Sequence, residues 1–340
     1  MMKPHADRPP TALVLGASGF IGGHIARALL EEGWGVRGLR RSPYSVGHLG
    51  DLRIDWLEGD VEEPARLRPA MEGADVLFHA AGYVPPNTYR IPAKVAQAVQ
   101  RIRGVLQAAK AAGIRRVVYT SSLSTIGTPP PGAHRLADER DAYIPWTAHG
   151  SAYYECKYAM ESEVMRAAAR GLDAVVVNPT LVLGPGDVHL SVSGILVAAA
   201  KGYLRFWLPG EINVVDVRDV AWAQVRAAEA GRQGDRYVLG GHNVSVRDLI
   251  ERICETAGAP PPLVGMPRGL LSVLAWLLHA IPPLDRANNH LRAADHWQAI
   301  QTTKARDELG LNPRPLESTL QDALAWLEKQ GKLKLRRSLV

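Results

Sequence analysis

The sequence predicts an α/β protein, a doubly wound parallel sheet with a smaller, discontinuous C-terminal lobe. Three features carry that prediction. Short apolar runs alternate with amphipathic helical patterns through the first half of the chain, as parallel strands joined by right-handed crossovers require. The first run ends in a spaced set of glycines that opens a helix. After Asn178-Pro179 the alternation breaks, returns near residue 214 and breaks again after Leu239, so the second lobe is built from two separated stretches.

The first element decides most. Ala12 to Leu15 is an apolar run that stops at Gly16, glycines recur at Gly19 and Gly22, and Ile21, Ile25, Ala28 and Leu29 return with helical spacing. Gly16 lets the chain turn out of the strand, Gly19 has no Cβ to block a pyrophosphate, and Gly22 lets the helix pack closely on the sheet. The helix N-terminus offers unpaired N–H groups to an anion. Gly16, Ser18, Gly19, Phe20, Ile21 and Gly22 are therefore candidate dinucleotide contacts.

Further strands are expected at 35–39, 54–57, 74–79, 116–120 and 174–177, with helices at 64–71, 92–112 and 151–169. Beyond Pro179 the pattern predicts a helix at 195–201, an apolar loop at 206–210, and a return to the sheet through 214–217, a helix at 219–230 and 237–239. Helices follow at 245–257 and 316–329. Residues 11–183 with about 214–240 then form the nucleotide domain, and about 184–213 with 241–330 the substrate lobe. Residues 1–10 and 331–340 read as loose tails.

The chain has 340 residues, 46% hydrophobic and 22% charged, an ordinary globular composition that excludes wholesale disorder. Cys156 and Cys254 make neither a metal spacing nor a disulfide framework, which fits a reducing cytoplasm. The net charge of +6 is spread without a stripe of interleaved aromatics, which argues against nucleic acid. The start lacks the apolar core of a signal peptide. The basic tail from Lys329 reads as a solvated end in preference to a contact with an acidic membrane surface. The leucine-rich stretch 269–281 falls short of the roughly 20 residues a span needs, and reads as a buried helix rather than an interfacial anchor. His24, His79, His134 and His149 show no metal-ligand pattern, and no nucleophile elbow or Cys–His pairing suggests a hydrolase.

Two features place chemistry. Tyr153 precedes Lys157 by one helical turn, which puts both side chains on one helix face. The run Thr120-Ser121-Ser122 ends the fifth strand at the same sheet edge as the glycine turn. With Gly16-Ala-Ser-Gly-Phe-Ile-Gly22, Gly59-Asp60, His79-Ala-Ala-Gly82 and Asn178-Pro179, the chain resembles the extended short-chain dehydrogenase/reductase family. Within it, the chain is similar to the dihydroflavonol-reductase-like and hopanoid-associated branch, the NAD-dependent epimerase/dehydratase group. The resemblance spans roughly residues 11 to 330.

The resemblance implies a Rossmann fold and a set of roles. Tyr153 exchanges the proton at the substrate oxygen, Ser122 hydrogen-bonds that oxygen, and Lys157 favours the phenolate and binds the nicotinamide ribose. Asp60 with Val61 would meet the adenine. Ala80, Ala81, Gly82 and Thr120 would border the cofactor, with Asn178 and Pro179 beside the nicotinamide amide. A homodimer paired through the long helices is compatible with the family, although apolar helix faces also serve the core.

Cofactor choice is read at the end of the second strand. An acidic residue there suits a ribose 2′-hydroxyl, whereas this chain has Arg40 and Arg41. Two guanidiniums suit a 2′-phosphate, so NADPH is expected, with Arg41 the main contact and Arg40 beside it. Three departures narrow the reaction. Ala98 stands where relatives carry an Asn for a relay water, Leu123-Ser124 replace the acidic pair of the dehydratases, and Ile212 stands where sugar-nucleotide epimerases place an arginine for the diphosphate, leaving Arg205 or Arg218 as substitutes. The expected activity is an NADPH-dependent carbonyl reductase or alcohol dehydrogenase for a moderately apolar aldehyde or ketone, bound near Tyr83, Val84, Pro85, Leu123, Phe206 and Trp207. A nucleotide-sugar epimerase and a non-catalytic NADP-binding or sensing protein are the alternatives.

Overall fold

The computed structural model describes residues 8–45, 47–148, 150–267 and 297–335. The first half runs β1 (Thr11–Leu15), α1 (Phe20–Glu31), β2 (Gly35–Arg40), β3 (Asp55–Glu58), α2 (Pro64–Met71), β4 (Val76–His79), α3 (Ile91–Ala111), β5 (Arg116–Thr120), α4 (Ala152–Ala169) and β6 (Ala174–Pro179). The second runs β7 (Leu181–Leu183), α5 (Gly194–Ala200), β8 (Phe206–Trp207), β9 (Glu211–Asp216), α6 (Val217–Ala230), β10 (Arg236–Leu239), β11 (His242–Ser245), α7 (Val246–Ala257), β12 (Val264–Gly265), α8 (Thr303–Leu309) and α9 (Leu316–Lys329).

Seven parallel strands form the central sheet in the order β10-β6-β5-β4-β1-β2-β3. The chain winds outward from β1 to β3, then restarts at β4 and winds the other way. The carboxyl ends of β1 and β4 therefore border a crevice. Strands covered on both faces must be nearly all apolar, and β1 and β4 meet that demand apart from Thr11 at the start of one and His79 at the end of the other. One face is packed by α1 and α6 through Ile25, Leu29, Val220, Ala223 and Ala227, and the other by α2, α3 and α4 through Leu67, Ile102, Val105, Met160 and Val164.

The doubly wound sheet stands as expected, but the stretch at 214–217 does not return to it. β9 pairs in parallel with β7 and antiparallel with β11 in a separate three-stranded sheet. The reason is steric: β10 occupies the sheet edge beside β6, pairing Arg236 with Val176, so β9 instead joins β7, which continues just past Thr180. The nucleotide half recovers the chain at α6 and β10. α6 begins two residues before its expected start, because Asp216 caps it by accepting the Arg218 N–H at 2.8 Å. The expected loop at 206–210 contains β8, which pairs with β12. Asn178 and Pro179 lie inside β6 rather than after it, held by pairing with Val238 and Leu239.

The three-stranded sheet, α5, α7 and α9 share a second core that includes Leu183, Leu196, Leu249, Ile253, Leu320 and Leu324. Among the described residues, no helix is long and apolar enough to cross a membrane. The stretch 269–281, His149, residues 1–7 of the leader and residues 336–340 of the tail lie outside the described residues.

Candidate active site

The glycine turn is built by contacts that leave no room for a side chain. A Cβ on Gly22 would lie 2.1 Å from the Gly16 carbonyl oxygen, and one on Gly16, at φ +88°, would lie 2.8 Å from the Ala81 nitrogen. The loop after β4, Ala80 to Gly82, thus lies directly against the turn after β1. α1 has no side-chain N-cap and no carboxylate in its first turn, so its leading N–H groups face an anion without competition. The turn fits a dinucleotide pyrophosphate.

α4 and the exit of β5 bring the chemistry-bearing side chains together. The Tyr153 hydroxyl donates to Ser122 Oγ at 3.1 Å. Lys157, one turn on, is 5% exposed. Its ammonium lies 5.9 Å from the Tyr153 ring centre and donates to the Ser121 carbonyl at 3.5 Å. A Cβ on Gly82 would come within 2.8 Å of that ammonium, so the glycine leaves Lys157 its place. His79 at the end of β4 is buried, and burial with the nearby Lys157 charge lowers its pKa to about 3. It is a neutral imidazole edge-on to Tyr119.

Other candidates have structural partners. Thr120 turns its hydroxyl inward to Gln224 on α6 at 2.8 Å, so its side chain braces the sheet. Asn178 is fully buried, and its Nδ2 donates to Ser122 O, Thr125 Oγ1 and Glu161 Oε2 at 3.2, 2.8 and 2.7 Å. Its side chain is therefore part of the scaffold beneath the site, because the strand pairing that extends β6 turns it inward. Asp60 Oδ1 accepts the Glu62 N–H at 3.1 Å, as a turn residue does. Val61 packs against the core under α2 and α3.

Arg40 and Arg41 part ways. The Arg40 guanidinium lies 5.2 Å from the Trp56 ring centre, whereas Arg41 is exposed just past β2. The expected substrate residues each have neighbours of their own. Tyr83 donates to Gln97 at 3.1 Å under the Arg101 guanidinium, and Leu123 packs with Ile126, Ala137 and Val238. Phe206 is exposed, and Trp207 faces the second core beneath Gly265. Tyr83 is thus turned toward α3, and Trp207 toward the second core. A cavity of about 680 Å³ lies elsewhere, between α1, α6 and the segment 310–314, and its lining includes neither Ser122 nor Tyr153.

Sequence reasoning missed the support beneath Ser122, namely Thr125, Glu161 and Arg236. The available signal was spacing, since Glu161 follows Lys157 by one further turn of α4. Among the described residues, no cluster of three or more His, Cys, Asp or Glu could hold a metal ion.

Comparison with known proteins agrees with this geometry. A sterol demethylase protein B from Methylococcus capsulatus is 32% identical over 332 residues, covering 94% of this chain and 99% of that protein. A putative dihydroflavonol 4-reductase from Synechocystis is 33% identical, covering 94% of this chain and 95% of that one. Among solved structures, a nucleoside-diphosphate-sugar epimerase from Pseudomonas aeruginosa superposes with a TM-score of 0.82 at 27% identity, covering 96% of this chain and 99% of that one. The family model for NAD-dependent epimerases/dehydratases matches residues 12–240. That match runs from the first strand of the central sheet to the last, through the glycine turn and the Tyr153 helix, and the chain belongs to this family of extended short-chain dehydrogenases/reductases, enzymes that work with a nicotinamide cofactor.

Proposed function

We propose that the protein is an NADPH-dependent carbonyl reductase or alcohol dehydrogenase acting on a moderately apolar aldehyde or ketone. The observation that carries this reading is the Tyr153–Ser122 hydroxyl pair at 3.1 Å with Lys157 behind it. When bound, the nicotinamide supplies or accepts a hydride. Tyr153 gives or takes the proton at the substrate oxygen, and Ser122 hydrogen-bonds the same oxygen as charge develops there. Lys157 holds positive charge beside the phenol from a buried position. The reductase name of the Synechocystis relative supports this class.

Arg41 and Arg40 carry the proposed preference for NADPH. Arg41, exposed just past β2, would meet a 2′-phosphate, with Arg40, whose guanidinium lies on Trp56, beside it. Of the two substitutes for a diphosphate arginine, Arg205 is exposed just before β8, whereas Arg218 is already engaged by Asp216 and Asp322, both at 2.7 Å. That arginine has no fork left for a diphosphate.

The test is NADPH oxidation against a panel of aldehydes, ketones and nucleotide sugars, with Tyr153→Phe as the matched variant. Turnover of a carbonyl compound that falls about a hundredfold in the variant supports the reading. Isomerisation of a nucleotide sugar without net cofactor oxidation would replace it with the epimerase, and tight NADPH binding without any turnover would favour the sensing protein.

A further inference from the structure

We propose that Glu161 is a positioning residue that fixes Ser122 for the reaction from beneath, an inference that rests on the role given to Ser122 above. Tyr153, Lys157 and Glu161 recur at four-residue spacing on α4 and so form one stripe of the helix. The first two meet the Ser122 hydroxyl and the Ser121 carbonyl. Glu161 is 4% exposed and lies under the chain that leaves β5.

A carboxylate so deeply buried needs both a counter-charge and donors. Arg236 on β10 supplies the charge, donating to Oε1 at 2.9 Å. Thr125 Oγ1 and Asn178 Nδ2 supply the donors, at 2.6 and 2.7 Å from Oε2. Both of those groups also lie at the Ser122 carbonyl oxygen, at 2.9 and 3.2 Å. A threonine hydroxyl has one proton and an Asn amide two. With the Thr125 proton committed to Glu161, Asn178 is left to hold the Ser122 carbonyl: one of its protons goes to Glu161 Oε2 and the other is shared between Thr125 Oγ1 at 2.8 Å and that carbonyl at 3.2 Å.

Ser122 is thus gripped at two points. Its carbonyl is held by Asn178, and its Oγ accepts the Ser124 N–H at 3.2 Å while receiving the Tyr153 hydroxyl. The network joins α4, β6, β10 and the exit of β5. Arg236 extends it by donating to the carbonyls of Glu139 and Asp141. A buried ion pair adds little net stability, because desolvation offsets much of the attraction. What this one provides is direction, and small misplacements of a reacting group cost large factors in rate.

The experiment is a double-mutant cycle on the full chain with Glu161→Gln, Ser122→Ala and the pair, reading kcat, KM, the NADPH Kd and Tm. Glu161→Gln is expected to lower kcat about tenfold with the NADPH Kd unchanged, and to have less than a twofold effect in the Ser122→Ala background. The same tenfold loss in both backgrounds would overturn the inference, because Glu161 would then act other than through Ser122. Thr125→Val, which removes the shared hydroxyl alone, should repeat the pattern and serves if Glu161→Gln does not fold. Hydrogen exchange gives a readout free of turnover: amides of residues 121–125 should exchange at least tenfold faster in the variant while β1 and β4 are unchanged, and unchanged exchange at 121–125 overturns the proposal. Failure of the reductase reading appears separately, as no carbonyl turnover by the unmodified chain.

Discussion

At the scale of single residues, the site depends on what is missing as much as on what is present. Gly82 has no side chain where one would meet the Lys157 ammonium at 2.8 Å. Only the far end of a flexible chain would have to yield, so Gly82→Ala should fold normally, with Tm within about 2 °C of the parent. The displaced ammonium should lower kcat on the order of tenfold, measured with NADPH saturating. An unchanged kcat would mean that the position of Lys157 is not critical. The two arginines at the end of β2 make a second pair of opposites. Arg41→Ala should raise the NADPH Kd about tenfold and leave the NADH Kd within twofold, as fluorescence titration would show, because it removes a charged contact to the 2′-phosphate alone. The sequence could rank the two arginines, Arg41 as the main contact with Arg40 beside it, but could not show what holds Arg40, since that ring comes from Trp56 on a neighbouring strand. The same limit applied to Asn178, whose inward direction is set by β10, a strand some sixty residues further on.

At the scale of elements, legibility followed pattern length and the number of covered faces. β1, β4, β5 and α4 carry long or strongly apolar patterns, and each lies within about two residues of its expected span. β7, β8, β11 and β12 have two to four residues, too few for a period to declare itself. β9 was legible as a strand but not as a partner of β7, because pairing is decided by which sheet edge is already filled. The turn between β1 and α1 gives a sharp test of element packing. A Cβ on Gly22 would meet the Gly16 carbonyl oxygen at 2.1 Å and its carbon at 2.6 Å, both backbone. Nothing flexible can yield there. Gly22→Ala should cost about 3 kcal/mol in urea unfolding and abolish NADPH binding, since the helix would have to withdraw from the sheet. Retained affinity would show that the turn can open without losing its anion site.

At the scale of the whole molecule, neutral histidines join parts distant in the chain. His24 on α1 lies at the Pro185 carbonyl, 2.8 Å away, and its ring lies 4.6 Å from that of His48. Burial, with the neighbouring His48, lowers the His24 pKa to about 4, and burial lowers that of His48 as well. His79, across the sheet, is lowered to about 3 by burial and Lys157. Each folded pKa lies below the unfolded value of about 6.5, so as pH falls the unfolded chain takes up protons that the folded chain refuses. This stability is whole above about pH 6.5 and is lost as pH falls through the window down to the folded values. At pH 5 the loss is about 2 kcal/mol each for His24 and His79, which for a domain of this kind is a large fraction of the total. Asp216, whose pKa is lowered despite burial by its bonds to Arg218, acts only below the ordinary carboxylate range, while Glu139, raised by burial, opposes the histidines in part. Urea unfolding at pH 7.5 and 5.0 should therefore differ by roughly 4 kcal/mol, and His24→Gln should shrink that difference by about 2 kcal/mol whatever it does to stability at pH 7.5. An undiminished pH dependence in the variant would mean that the folded protein already binds the His24 proton at pH 5, and that the junction of α1 with the segment around Pro185 opens to water before the sheet does.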